Sequence, residues 1–177
     1  MKLIAALHVC IMAILLNKKI WTLDLLAVEW SITDGQLVKI DLKIKHVNRT
    51  SFAISGSWYM GYEVSEDTMV SMKLRRSSSG NADSYLLLPY ELTGKFYDLL
   101  HSHYKSTLRN FANCSNFPVI KTEARDYKYR NLFYLDKCTF TTDCMPNYIT
   151  EGYYKASADI TGETNWSVTI VPLTLTA

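Results

Sequence analysis

Strict alternation of apolar and polar residues is the feature of this sequence that most limits its fold. From Leu37 to Ile44 apolar side chains occupy alternate positions, with lysine and aspartate at most positions between them. Successive side chains of a strand point to opposite faces, so a period of two predicts an antiparallel strand with one buried face. Segments 52–60 and 70–74 repeat the pattern and predict a meander with the first strand. Segments 153–160 and 166–175 repeat it again.

The alternation also predicts which side chains face the interior. These are Ile40, Leu42, Ile44, Phe52, Ile54, Trp58, Val70, Met72, Leu74, Tyr154, Ala156, Ala158, Trp166, Val168 and Ile170. The most economical interpretation is a closed aromatic core. The alternative is a sandwich that does not close, in which the same residues line a cavity for an apolar ligand and Ala156 and Ala158 leave it room. Both interpretations require the same residue types, so both stay open.

One segment departs from the period of two. Between Gly94 and Phe111 the apolar residues are spaced to share one face of an amphipathic helix. Segments 118–129 and 132–138 are predicted to be extended, although the pattern of the first around 124–126 is ambiguous. Because no repeat or linker is visible, we predict one domain over 28–177, a mainly β two-sheet sandwich of short strands with one helix.

The first residues have the pattern of a secretory signal peptide. Lys2 precedes an apolar run over 3–16, which is too short to span a bilayer comfortably. We assign 1–20 to the signal, with cleavage between Asn17 and Ala27, and expect a secreted, extracellular protein without a stable membrane span. A buried N-terminal helix or an uncleaved anchor is the alternative.

Glycosylation sequons and cysteines agree with secretion. The sequons are at Asn48, Asn113 and Asn165. Removal of the signal leaves three thiols, which in an oxidising compartment imply one disulfide and one cysteine left over. Their spacing fits neither a four-ligand metal site nor a redox Cys-x-x-Cys pair. These thiols are Cys114, Cys138 and Cys144.

Motifs for catalysis or cofactor binding are missing from the sequence. It contains no Gly-x-Ser-x-Gly elbow, no Gly-rich phosphate loop and no His-Glu-x-x-His. His101 and His103 are two positions apart on the predicted helix and point in different directions. The net charge of +2 provides no broad field for a polyanion, so nucleic acid is not an expected partner. We predict no catalytic residues, no metal and no cofactor, and a secreted enzyme is the weakest of the function classes.

Two motifs carry a resemblance to a known family. Cys-Ser-Asn-Phe-Pro occupies 114–118, and Glu-Gly-Tyr-Tyr-Lys follows Pro146 after four residues. Supporting stretches are NRTSFAISGSW at 48–58, LLPYEL at 87–92 and FYDLLHSHYKSTL at 96–108. Over roughly residues 37–175 the sequence resembles the insect chemosensory protein A and B families, small secreted proteins distantly similar to MD-2-related lipid-recognition domains such as the GM2 activator.

The resemblance implies an immunoglobulin-like two-sheet sandwich that holds a hydrophobic ligand between its sheets. The partner would be a lipid or another hydrophobic small molecule, and the role would be chemosensory, in taste or pheromone perception. The resemblance also implies that Cys114 pairs with Cys138. Cys144 departs from the family pattern and is our candidate for the free thiol.

A second function hypothesis needs no cavity. In it, the sandwich core is filled and the protein surface modulates a chemosensory receptor or ion channel. Tyr127, Tyr129 and Tyr134 would then be exposed candidates for interaction hot spots.

Overall fold

The computed structural model describes residues 21–47, 52–104, 108–139 and 147–176. Within these ranges the chain forms two antiparallel sheets and one α-helix, which confirms the predicted mainly β sandwich. The strands are β1 Trp21–Ile32, β2 Val38–His46, β3 Phe52–Met60, β4 Met69–Ser77, β5 Leu86–Lys95, β6 Asn131–Cys138, β7 Gly152–Thr161 and β8 Trp166–Thr176. The helix, α1, spans Phe96–His103. In this described part, no helix is long and apolar enough to cross a membrane.

The five-stranded sheet has the order β1-β8-β7-β4-β5, and the three-stranded sheet has the order β2-β3-β6. The predicted meander is therefore wrong at its third strand. Strands β2 and β3 pair with Val38 opposite Met60, but β4 crosses to the larger sheet and pairs with β5 and β7. The connection over 61–68 carries buried Tyr62 and Val64 along the interior.

Two strands were not predicted. Strand β1 pairs with β8 from Trp21 onward, so cleavage after Trp21 would remove residues that are paired in the sheet. Strand β5 begins with three leucines and a proline, which breaks the alternation. Pro89 is tolerated because β5 is an edge strand of the larger sheet.

Helical structure lies where the sequence predicts it: the α-helical part ends at His103, and the described residues Tyr104 and Leu108 are also helical. Helix α1 buries Phe96, Leu99 and Leu100 against the core, and a 3-10 turn follows at Arg109–Asn113. The extended prediction for 118–129 is wrong, since no strand forms there, and its ambiguous part, Ala124–Asp126, forms a 3-10 turn.

A disulfide joins Cys114 to Cys138, with their Cα atoms 5.3 Å apart. It fastens the turn after α1 to the end of β6, where the Asp136 amide also donates a 2.7 Å hydrogen bond to the Cys114 carbonyl. The predicted pairing is confirmed. Cys144 and the sequon residue Asn48 lie outside the described residues, while the sequon residues Asn113 and Asn165 are exposed.

Candidate ligand-binding cleft between the sheets

The larger sheet has one charged face and one apolar face. On the charged face Lys155 pairs with Glu29 at 3.0 Å, and Lys73 lies 3.6 Å from Asp159. Odd-numbered residues of β7 occupy this face. Its even-numbered residues therefore face the smaller sheet, as the alternation predicts.

Aromatic side chains close one end of the interior. The Trp58 and Trp166 rings from opposite sheets lie 5.2 Å apart, and Phe133 packs 5.3 Å from Trp58. The Trp166 indole N–H donates a 2.8 Å hydrogen bond to the buried Tyr62 hydroxyl, and burial raises the pKa of Tyr62. Among the described residues the buried Trp58 N–H has no partner. At this end the interior is a packed core.

The interior opens beyond this closed end. Ala156 faces inward from β7, which has a neighbouring strand on each side, yet Ala156 is exposed. In a closed sandwich such a position would be covered by the opposite sheet. Ala158, two residues closer to the closed end, is half-buried.

Apolar side chains flank this opening on the larger sheet, in the rows of Ala158 and Ala156. The strand register places them in two adjacent rows, and all of them are half-buried or exposed. We call these two rows the apolar cleft. Its residues are Trp30, Val168, Ala158, Met72 and Leu92 in the first row, and Val28, Ile170, Ala156 and Leu74 in the second.

The exposure of the cleft is large for apolar side chains. Trp30 and Met72 each keep 40% of their surface exposed, and Leu92 keeps 36%. On the inward face of the smaller sheet, Leu42 and Ile44 are also half-buried.

The predicted interior residues thus divide into three groups. Ile40, Trp58, Val70 and Trp166 belong to the closed aromatic end or pack against it. Phe52, Ile54 and Tyr154 lie toward the opposite end of their strands. The residues of the apolar cleft or its facing wall are Leu42, Ile44, Met72, Leu74, Ala156, Ala158, Val168 and Ile170.

Three cleft residues were missed because their strands were missed. Val28 and Trp30 alternate with polar Glu29 and Ser31, and this short pattern was a signal that the sequence did contain. Leu92 had no such signal, since β5 does not alternate.

An arginine lies at the end of the cleft away from the aromatic core. Arg76 is two residues beyond Leu74 on β4 and lies opposite Tyr154 on β7, so it is on the inward face. Its Nη2 donates a 2.6 Å hydrogen bond to the Glu151 carbonyl. A β-carbon at Gly152 would lie 3.3 Å from Arg76 Nε, so this glycine leaves space for the guanidinium.

A second depression lies outside the sandwich, beside α1. It measures about 230 Å³ and includes Tyr97, His101 and Glu123 in its lining. His101 Nδ1 lies 3.8 Å from the Glu123 carboxylate. No group of three His, Cys, Asp or Glu residues in the described ranges could hold a metal ion.

The tyrosines proposed as hot spots differ in exposure. Tyr129 is only 1% exposed and donates a 2.7 Å hydrogen bond to the Ala124 carbonyl, so its assignment to the surface is wrong. Burial raises its pKa. Tyr127 is half-buried, and Tyr134 is exposed.

Neither the protein-family models nor the curated proteins with which the sequence was compared match this chain. The likeness to chemosensory proteins therefore stays a prediction from the short motifs.

Proposed function

We propose that this chain is a secreted, non-enzymatic protein that binds a hydrophobic, lipid-like or pheromone-like molecule in the apolar cleft. The supporting observation is the exposure of Ala156 on the inward face of a central strand. Every neighbour of Ala156 within the cleft is apolar. The chemosensory role follows from the resemblance of the sequence motifs.

The physical character of the cleft favours a long aliphatic ligand. Burial of each methylene contributes about 0.8 kcal/mol, while association itself costs roughly 4–15 kcal/mol. A chain of about twelve methylenes would gain roughly 10 kcal/mol by the same rule. Short volatile molecules would not bury enough surface to bind well.

The first test is native mass spectrometry of the protein purified from a eukaryotic secretion host, followed by extraction and identification of bound molecules. Stoichiometric lipid would support the proposal. An apo mass, with no uptake from an offered panel of long-chain hydrocarbons and fatty acids, would contradict it.

A pair of variants at Ala156 connects uptake to the cleft. Ala156→Leu should lower ligand affinity at least about tenfold, because the larger side chain fills the opening between the sheets. Ala156→Ser adds little volume and serves as the matched control. Equal uptake by both variants would place the ligand elsewhere.

A second candidate function is protein interaction without a ligand, as a modulator of a receptor or ion channel. It is favoured by the apolar residues that edge strand β5 exposes, where Leu86 is 73% and Tyr90 is 68% exposed. Leu87 on the same strand is 55% exposed and lies opposite Arg75, on the outer face. Replacing Leu87 with serine should weaken partner binding and leave lipid uptake intact if this surface carries the function.

A further inference from the structure

Two adjacent arginines on β4 lie on opposite faces of the larger sheet. Arg75 is on the charged outer face, where its Nη1 donates a 3.4 Å hydrogen bond to the Ser157 hydroxyl. Arg76 is on the inward face, in register with Tyr154. Arg76 therefore places a positive charge on the apolar face, directly beyond Leu74 of the cleft. Charged residues are rare on such a face unless they have a partner.

A backbone carbonyl, and no carboxylate among the described residues, holds the Arg76 guanidinium in place. Its Nη2 is bonded to the Glu151 carbonyl, and its Nε is buried beside Gly152. Within the described part of the chain, the ion pairs do not include Arg76. A half-buried guanidinium without an anionic partner is a group that a ligand carboxylate would stabilise.

We propose that Arg76 binds the headgroup of the ligand, and that the ligand is a long-chain carboxylate. This inference rests on the proposed carrier function. The planar guanidinium matches the two oxygens of a carboxylate, so the pair is both strong and directional. The aliphatic chain extends from Arg76 along the apolar cleft toward Trp58 and Trp166.

The dimensions of β4 agree with this orientation. Arg76 and Val70 are six residues apart on the strand, which corresponds to about 20 Å. Over this length the inward residues are Leu74, Met72 and Val70, all of them apolar. A fatty chain would therefore meet one charge at one end of the cleft and aromatic rings at the other.

The test compares palmitate with methyl palmitate, which has nearly the same chain but no charge. Affinities are measured by displacement of a fluorescent fatty-acid probe from the wild-type chain and from Arg76→Gln, Arg76→Lys and Arg75→Gln. Arg75→Gln is the matched control, because it removes the same charge one residue away on the opposite face.

The wild-type chain should prefer palmitate to the ester. Arg76→Gln should lower the affinity for palmitate about tenfold to a hundredfold, as expected for a lost charged hydrogen bond, and leave the ester within about twofold. Arg76→Lys should recover part of the loss, and Arg75→Gln should change neither affinity.

Each other outcome has a distinct meaning. Equal losses for acid and ester in Arg76→Gln would overturn the proposal and give Arg76 a structural role. Equal binding of acid and ester by the wild-type chain would overturn it while leaving the carrier function intact, even if Arg76→Gln does not fold. Binding of neither ligand would overturn the proposal, and the carrier function would fall with it only if long-chain hydrocarbons are not taken up either.

Discussion

Replacing Trp166 with phenylalanine should destabilise the fold by about 2–4 kcal/mol. The Trp166 N–H donates at 2.8 Å to the hydroxyl of Tyr62, whose side chain is only 6% exposed. Leaving a buried hydroxyl without its donor costs about 1–3 kcal/mol. Loss of the larger ring from the contact with Trp58 adds roughly 1 kcal/mol of buried surface and aromatic packing.

The matched variant is Trp58→Phe. Trp58 contributes the other ring of the 5.2 Å contact, but among the described residues its N–H has no acceptor. Trp58→Phe removes as many ring atoms as Trp166→Phe does, but it breaks no hydrogen bond among the described residues. We expect a loss of about 1 kcal/mol, from packing alone.

Because Trp166 is more buried than Trp58, a double-mutant cycle is needed to isolate the hydrogen bond. Each tryptophan variant is combined with Tyr62→Phe, and the free energy of unfolding is measured by urea titration with the disulfide intact. The coupling should be about 1–3 kcal/mol for Trp166 with Tyr62 and near zero for Trp58 with Tyr62. Equal couplings would refute this reasoning.

Two further predictions concern stability away from the aromatic end. Burial alone would raise the pKa of Glu163, but hydrogen bonds from Ser65 and Thr68 outweigh it and lower the pKa. The stabilisation from Glu163 is therefore complete at neutral pH and is lost as the pH falls through the lowered pKa. Glu163→Gln should flatten the decline in melting temperature below about pH 4, and an unchanged acid decline would contradict the assignment. Replacing Cys114 and Cys138 together with serine should cost about 3.5 kcal/mol, because the disulfide closes a loop of 24 residues. A urea midpoint unchanged from that of the parent chain would contradict this.

The alternation of apolar and polar residues predicted most of the strands, but it did not predict which strands pair with each other. Residues 38–46, 52–60 and 69–77 show the same alternation, yet the third of these strands lies in the other sheet. The alternation indicates only that one face of a strand is buried. It does not indicate which strand pairs with it. The meander failed because the choice of sheet depends on the connection over 61–68, which alternation does not describe.

The alternation also could not predict that the cleft is open. The strand that contains Met72 shows the same alternation of apolar and polar residues whether or not the opposite sheet covers Met72. The sequence offered one indication, the two alanines Ala156 and Ala158, and both lie in the cleft. The inward position of Arg76 follows from the alternation, since it is two residues beyond Leu74.

The unequal widths of the two sheets account for the cleft. Strands lie about 4.8 Å apart, so five strands span about 19 Å and three span about 10 Å. The smaller sheet therefore cannot cover the whole inner face of the larger one. Near Val70 the uncovered face is filled by α1, whose Phe96, Leu99 and Leu100 join the same buried cluster. Ala158 and Val168 of the first cleft row pack against that cluster but are only half-buried, and the row at Ala156 lies outside it. The cleft is therefore a consequence of strand number and not of a local defect in packing.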